Sequence, residues 1–553
     1  MKSSWKLIGD FLGNDLLPAL LANRGVSVEE SNEFIESPQP NLELAKRLLR
    51  FTEVDFKKIS SLFTKAINDG RPIIIHGDYD VDGISATAIL WKTIYNHLSY
   101  KNCYPFIPNR FDHGYGLSKQ SIDEVSEVVK NHSRESGPLK SGLLVTVDCG
   151  ITAFEEVEYA KSKGFEVLIV DHHAKPETRP SCSIFYSDRV CAAGLSYIIS
   201  RVLNHDQTGF LELAALGTVA DLQPLFGFNR SLTKSGLDEL SSTKNVGLTA
   251  LKKISGIEGK NIGTFEVGWI LAPRLNAAGR LETALESLRL LCTESEDQAL
   301  KIAEKLNHLN LERQELTKAA VDLALSVTQG KALSKVTVAV HEQFHEGIIG
   351  LVAGRLVSYL GTPAVVISKG AEFSKASARS VEGFNIVEFL RSLGSHFENI
   401  GGHAGAAGFT IRTERIEEFL RALNLYQKNL EIPLPTLKIE KELKLEEITY
   451  DLLELINKLA PFGLGNQEPL FLSRKVPVQN VTFVGNGKSH LKLNLGVNGK
   501  FYSAIFFGKG KLYKDLTAGD YLDIVYNLSE NNWNGEKSIS LKIRDIDTFS
   551  HTS

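Results

Sequence analysis

Apolar residues recur along this chain in distinct rhythms, and each rhythm predicts a different kind of element. Between Arg71 and Asp171 short continuous runs, PIII (72–75), CYPFI (103–107), GLLVTV (142–147) and EVLIV (166–170), alternate with amphipathic stretches such as SIDEVSEVVKNHS and FEEVEYAKSKG. Runs that are apolar on both faces suit strands covered by helices on each side, so the pattern predicts a parallel α/β sheet. A helical stretch follows from about Ala192 to Gly279. From Glu294 to Thr328 the helical period continues without Gly or Pro, which predicts one long connecting helix. A second α/β unit starts at KVTVAV (335–340) and runs through HEGIIGLVAGRLVSYLG, PAVVIS, KASARS and the Gly-rich GGHAGAAGFTI (401–411). Beyond the linker-like QKNLEIPLP, strict alternation takes over in NVTFVG, HLKLNLGV, FYSAIFF, YLDIVYNL and SISLKI. Turn dipeptides at Gly485-Asn486, Asn498-Gly499 and Asn534-Gly535 separate them, and the pattern predicts a small antiparallel barrel. Ahead of everything, residues 1–70 read as a helical lead-in.

Composition narrows the class. The chain has 553 residues, 43% hydrophobic and 23% charged, which suits several globular domains and excludes wholesale disorder. Its net charge of −4 neither demands nor excludes a polyanionic partner, because local patches create a binding field. Five cysteines without CxxC spacing point to reduced thiols in the cytoplasm and argue against a zinc ribbon or a disulfide frame. The N-terminal MKSSWKLIGDFLGNDLL lacks a signal-peptide core, and no apolar run is long enough for a bilayer, so no membrane association is expected.

The strand-like runs end on charge. His76, Asp78, Asp80 and Asp82 follow PIII, Asp148 ends GLLVTV, and Asp171, His172 and His173 end EVLIV, while Asp221 closes the apolar LGTVAD. In a parallel sheet the carboxyl ends of the strands share the edge where ligands bind, so these residues should converge. Taken singly, a strand-end aspartate is a helix N-cap and DHH is a surface turn. Taken jointly, HxxxDxDG, VDCG and DHH, each after a buried strand, crowd like charges that need compensation, and a divalent metal pair provides it. Oxygen and imidazole donors favour Mn²⁺ or Mg²⁺ over structural zinc and do not separate the two. Two such ions about 3.5–4 Å apart can share one carboxylate and activate a bridging water for attack on phosphorus.

These motifs carry a resemblance. HGDYDVDG, VDCG, DHH and GTVAD resemble the DHH phosphoesterase superfamily, and GGHAGAAGF resembles its DHHA1 domain. NRFDHGYGLS, APRLNAAGR, HEGIIGLVAGRL, SARS and PFGLGNQEP resemble the RecJ family within it, the single-stranded-DNA-specific 5′→3′ exonucleases. The resemblance implies a helical lead-in (1–70), a DHH domain (71–290), a long connecting helix (291–330), a DHHA1 domain (331–430) and an OB-like nucleic-acid-binding barrel (431–553). It implies His76, Asp80 and Asp148 around one cation and Asp82, Asp148, His172 and Asp221 around the other, with Asp148 bridging. His173 would stand beside the scissile phosphate, and Asp78 would tune the metal site through hydrogen bonds. Arg110, Ser377 and Arg379 match positions that bind the terminal phosphate, and Arg280 is a further backbone contact, since arginine forks pair with phosphate oxygens. His403 either faces substrate or sits in tight glycine packing. The scissile phosphate would lie between the DHH and DHHA1 domains, in a channel whose width the long helix sets. Phe483, Tyr502, Phe506, Phe507 and Trp533 are the aromatics available for base stacking on the barrel. A monomer acting on single-stranded DNA, with a helicase and a single-strand-binding protein in repair and recombination, is implied by the resemblance alone.

Three rival readings are weaker. His341-Glu342-Gln343-Phe344-His345 spells HExxH, but a zinc protease needs both histidines on one helix face, and here the motif follows the strand-like VTVAV, with a helix expected from Glu346-Gly347. A phosphodiesterase for short oligonucleotides or cyclic dinucleotides, or a pyrophosphatase, would usually lack the barrel and APRLNAAGR. A metal-dead single-strand-binding scaffold would have lost ligands, and every ligand position here holds a competent residue.

Overall fold

Four of the apolar runs become strands because both of their faces are covered. β1 (Ile73–His76), β2 (Cys103–Phe106), β3 (Gly142–Val147) and β4 (Phe165–Asp171) are joined by β5 (Ser183–Tyr186), whose short SIFY did not stand out in the sequence. All neighbours are parallel and the order is β2-β1-β3-β4-β5. Ile73, Ile75, Leu143, Val145 and Val170 pack into a core on one side, while Ile74, Leu144, Val167 and Ile169 pack into a second core on the other. That double burial is why the runs show no alternation. The order reverses between β1 and β3, which makes the crevice at their carboxyl ends the expected ligand position of a doubly wound sheet.

The computed structural model describes residues 4–9, 16–110, 112–132, 142–204, 209–328, 334–497, 499–533 and 536–548. The expected turns at Asn498 and at Asn534-Gly535, the side chain of Trp533 and the junction at 329–333 lie outside the described residues. The chain divides into two compact units, Glu36–Leu316 with Pro461–Asn466, and Met1–Ile35 with Thr317–Ala460 and Gln467–Ser553.

The parallel sheet belongs to the first unit. Its central helix, α1 (Val81–Lys92), is buried over ten consecutive residues from Val81 to Leu90 and packs against α2 (Ala192–Leu203) and α3 (Leu211–Ala220). A helix apolar on every side has to lie inside a core, and α1 anchors the loop that precedes it. α4 (Ala272–Leu281) carries the NAAGR segment. The long helix runs from Glu296 to Thr328, two residues later than the sequence suggested, because the Ser295 hydroxyl accepts from the Gln298 amide and starts it there.

In the second unit a five-stranded sheet has the order Phe397–His403, Ala406–Arg412, Phe373–Arg379, Ala364–Ser368, Thr337–His341, and only the last pair is parallel. The barrel strands Phe471–Val484, His490–Val497, Lys500–Phe506, Tyr521–Trp533 and Glu536–Thr548 close through pairing of the first with the fourth. Its pairs are antiparallel except Lys500–Phe506 with Glu536–Thr548, which run parallel. The lead-in is not wholly helical: Ser4–Leu7 is a strand paired in parallel with Thr436–Ile439. Alternating SWKL is too short to announce itself without its partner.

Candidate metal centre

The carboxyl edge of the parallel sheet gathers the charged residues, and each is held by local chemistry before any ligand is considered. Asp80 caps α1, its Oδ1 accepting from the amides of Asp82 (2.9 Å) and Gly83 (3.2 Å). The Asn276 side chain on α4 accepts from the Val81 amide at 3.1 Å and braces the same turn. Asp82 is 1% exposed, and its two oxygens accept from the amides of Ala192 and Ala193, each at 2.8 Å, in the first turn of α2. Gly217 on α3 leaves the room for this, since a Cβ there would stand 2.6 Å from Asp82 Oδ1. Asp148 follows β3 in the left-handed region at φ 65°, a strained setting for a side chain and one found at functional sites. Asp221 caps the C-terminus of α3 and accepts from Gln223 Nε2 at 2.7 Å.

The DHH triplet divides its work. Asp171, to which the sequence assigned no role, ends β4, and its Oδ2 accepts from the Ile151 amide at 2.9 Å. Its Oδ1 takes the amides of His172 (2.7 Å) and His173 (3.2 Å) and pairs with His173 Nδ1 at 2.7 Å. His172 Nε2 lies 3.0 Å from Asp148, 3.6 Å from Asp82 and 3.7 Å from Asp221. Tyr115 and Gln223 were likewise missed. The Tyr115 hydroxyl is 3.1 Å from His173 Nε2, and Gln223 Nε2 is 3.5 Å from His172 Nδ1. Tyr115 lies in NRFDHGYGLS, already picked out, and Gln223 follows LGTVAD by two residues, but neither residue type signals its role from the sequence.

Three clusters emerge in which the ligand atoms lie within 4.8 Å of one another: Asp78, Asp80 and Asp148; Asp82, His172 and Asp221; and Asp148, His172 and His173. Asp148 and His172 each belong to two of them. Asp78, expected only to tune the site, stands inside the first. Among the described residues His76 joins no such cluster, and its Nε2 sits 3.1 Å from Ser121 Oγ.

The charges repel. Burial raises the Asp148 carboxyl well above its ordinary range, and Asp82, Asp80, Asp78 and Asp221 raise it further. Burial and Asp80 lift Asp78, burial and Asp82 lift Asp80, and burial with Asp82 pushes Asp221 up to about 7. Burial drives His76 down to about 4 and lowers His172, leaving both rings neutral and able to donate a lone pair. For Asp171, burial is outweighed by His173 and the Ile151 amide, and its carboxyl falls. For His173, burial is outweighed by Asp171, and the imidazole rises to about 8. His76 Nδ1 and Asp78 Oδ1 are buried without any partner. Unpaired lone pairs in a buried acid cluster fit hard divalent cations, and the thiols beside them, Cys149 and Cys191, are both held neutral by burial.

The remaining predicted residues fall in two places. Arg110 lies over the Tyr79 ring at 5.0 Å, and Arg280 is on α4, both in the unit that holds the acid cluster. Ser377, Arg379 and His403 share the second sheet, where Gly408 pairs with Ser377 and Ala406 pairs with both Arg379 and His403. Arg379 Nη1 donates to Ser377 Oγ at 3.2 Å and to the Ala378 carbonyl at 2.9 Å. Gly350, in the helix Ile349–Leu360, lets its backbone close on the pair, since a Cβ would meet Arg379 Nη2 at 3.0 Å. His403 is exposed at a hairpin end, its Nδ1 accepting from the Gly405 amide. In HExxH, His341 ends a strand and the helix starts at Ile349 rather than at Glu346-Gly347. His341 and His345 therefore do not share a helix face.

Similarity to known proteins follows the same map. The DHH family N-terminal domain matches residues 72–218, the DHHA1 domain 333–429 and the RecJ OB domain 439–545. The chain is 31% identical to the single-stranded-DNA-specific exonuclease RecJ of Bacillus subtilis (strain 168), over 96% of this chain and 67% of that protein. The crystal structure of RecJ in complex with Mn²⁺ from Thermus thermophilus superposes with a TM-score of 0.80 at 27% identity, covering 99% of this chain and 80% of that one. The Mg²⁺ complex from the same organism gives a TM-score of 0.73 at 26% identity, covering 99% and 79%.

Proposed function

The chain belongs to the RecJ family, and from that premise we propose that it is a metal-dependent exonuclease that removes 5′-mononucleotides from the 5′ end of single-stranded DNA. The observation that carries this is the cluster of mutually repelling, buried carboxylates around Asp148 and His172 at the switch point of the sheet. Two divalent cations, Mn²⁺ or Mg²⁺, are its cofactors. Asp148 would bridge them, with Asp82, His172 and Asp221 on one side and Asp80, His76 and Asp78 offering donors on the other. When bound, the cations supply a water activated at neutral pH and a clamp on phosphate charge.

The chain's own residues do the rest. Asp171 holds His173 in place through Nδ1, leaving Nε2 and the Tyr115 hydroxyl to serve a phosphate oxygen or a proton. Arg110, Ser377 and Arg379 would bind the terminal phosphate, Arg280 would contact the phosphate backbone, and His403 would touch the strand. On the barrel, Tyr502 and Phe506 are buried, whereas Phe507 is 57% exposed and Phe483 half-buried. Phe501, 67% exposed, joins Phe507 as a stacking candidate. Action as a monomer in the cytoplasm, in repair and recombination beside a helicase and a single-strand-binding protein, completes this reading. Among the described residues no helix is long and apolar enough to cross a membrane.

The test is digestion of end-labelled single- and double-stranded DNA with Mn²⁺. Mononucleotides released from the 5′ end of the single strand alone are expected. Release from duplex or from 3′ ends overturns the assignment, and release only from dinucleotides overturns it in favour of the short-oligonucleotide phosphodiesterase.

A further inference from the structure

One apolar surface remains unexplained, and it touches the acid cluster. Directly after Asp221, Leu222 adopts φ 56° and is left 69% exposed. It lines a cavity of about 290 Å³ with Gln223, Thr264, Phe265, Trp269 and Leu464. Trp269 and Phe265 are 68% and 61% exposed, Leu464 is 52% exposed, and the two rings lie 6.4 Å apart, inclined by 25°. Phe265 and Trp269 are four residues apart across one helical turn, so both rings leave the same face. Soluble chains seldom leave so many large apolar groups contiguous without something to cover them.

The polar groups in the cavity wall are already engaged. Thr264 Oγ1 donates to the Phe462 carbonyl at 2.7 Å, and Gln223 Nε2 faces Asp221 at 2.7 Å. The surface therefore offers flat π-faces with few free hydrogen-bonding groups, which suits a planar heterocycle read without regard to its identity. Gln223 belongs to both places at once, lining the cavity and touching the Asp221 and His172 side chains. Gln223 thus makes the shelf continuous with the acid cluster, where a substrate phosphate would sit.

Resting on the single-strand exonuclease reading, we infer that Trp269 and Phe265 form a stacking shelf for a nucleobase of the substrate strand close to the scissile phosphate. The shelf sets affinity and register without sequence preference. Its occupant is the DNA strand itself, and the site belongs to the parallel-sheet unit rather than to the barrel.

The experiment follows release of the labelled terminal nucleotide from a 5′-phosphorylated oligothymidylate by the full-length, Mn²⁺-loaded enzyme. Base–aromatic stacking is strong enough that Trp269→Ala is expected to raise KM about 5- to 100-fold, with Trp269→Phe close to wild type and Phe265→Ala between them. A second series moves one abasic residue stepwise from the 5′ end. In wild type one position should raise KM by the factor seen for Trp269→Ala, and that same position should add nothing in the variant. The exposure of Trp269 predicts an unchanged melting temperature, which reports folding. An unaltered KM for Trp269→Ala, or an abasic effect that persists undiminished in it, overturns the shelf while leaving the exonuclease assignment intact. Wild-type enzyme that fails to digest single strands overturns both.

Discussion

The two α/β sheets of this protein treat charge in opposite ways. The parallel sheet collects Asp78, Asp80, Asp82, Asp148 and Asp221 at one edge, buries most of them and leaves Asp148 raised first by burial and then by four neighbouring carboxylates. The mixed sheet carries Arg379 in contact with the hydroxyl and carbonyl of its own strand. The first arrangement crowds like charges that a cation would relieve, while in the second the arginine is held by its own strand. Binding machinery can be neutral to folding, but a site built of like charges works only with its counter-ion.

The sharpest way to break this contrast is Asp148→Asn. Metal-clamp stabilisation is worth several kcal/mol, so the rate on single strands should fall roughly 10³-fold or more. Calorimetry in EDTA should show the same variant melting higher than wild type, because a buried, repelled carboxylate is gone. Near-normal digestion, or a lower melting temperature, would contradict the reading of the cluster.

Cation addition comes next. Mn²⁺ at a hundred times its Kd should stabilise wild type by about 2.7 kcal/mol per site, and Arg379→Ala should keep that shift while Asp148→Asn loses it. The pH dependence carries a definite sign. An unfolded aspartate titrates near 3.9, whereas Asp221 is pushed up to about 7 in the folded chain. Between those values the folded state holds the extra proton, so this group's contribution to stability declines as pH rises from about 4 through 7. In EDTA, Asp221→Asn should therefore gain on wild type as pH climbs through that window, and saturating Mn²⁺ should return the lead to wild type. Parallel melting curves at every pH would sink the claim.

On the mixed sheet, Arg379→Ala should reduce the preference for 5′-phosphorylated over 5′-hydroxyl ends by about tenfold to a hundredfold, the worth of charge-assisted bonds to phosphate. Competition between the two substrates measures it. The smallest effect separates the barrel aromatics. Tyr502→Phe loses the hydroxyl's bond to the Ile448 carbonyl, about 1 kcal/mol of stability, and should leave DNA affinity alone. Phe507→Ala should do the reverse, as titration with labelled single strands would show.

Much of this was legible in residue order, for reasons that are local. Strands buried on both faces must be continuous apolar runs, and GLLVTV was read to its last residue. The long helix was visible because nothing in it breaks the period. Ser4–Leu7 and Ser183–Tyr186 escaped because four residues carry too little pattern without the partner strand. Asp78 joins Asp80 and Asp148 in space, which residue spacing did not single out, because the turn after the strand-ending His76 decides where each side chain is aimed. Tyr502 and Phe506 could not be told from Phe507 until the barrel's inward face was known.

The sequence alone determined which chemistry was available: paired carboxylates and imidazoles after buried strands, arginines within the motifs that carry the family resemblance, and an alternating tail that had to close on itself. Only the tertiary structure decided which atoms meet. Strand order brings Asp148 and His172 to one point, the first turn of α2 claims both oxygens of Asp82, and Asp171 takes the orienting role that spacing could not assign. Contacts between strand ends depend on the path of the whole sheet, and no local periodicity encodes that path.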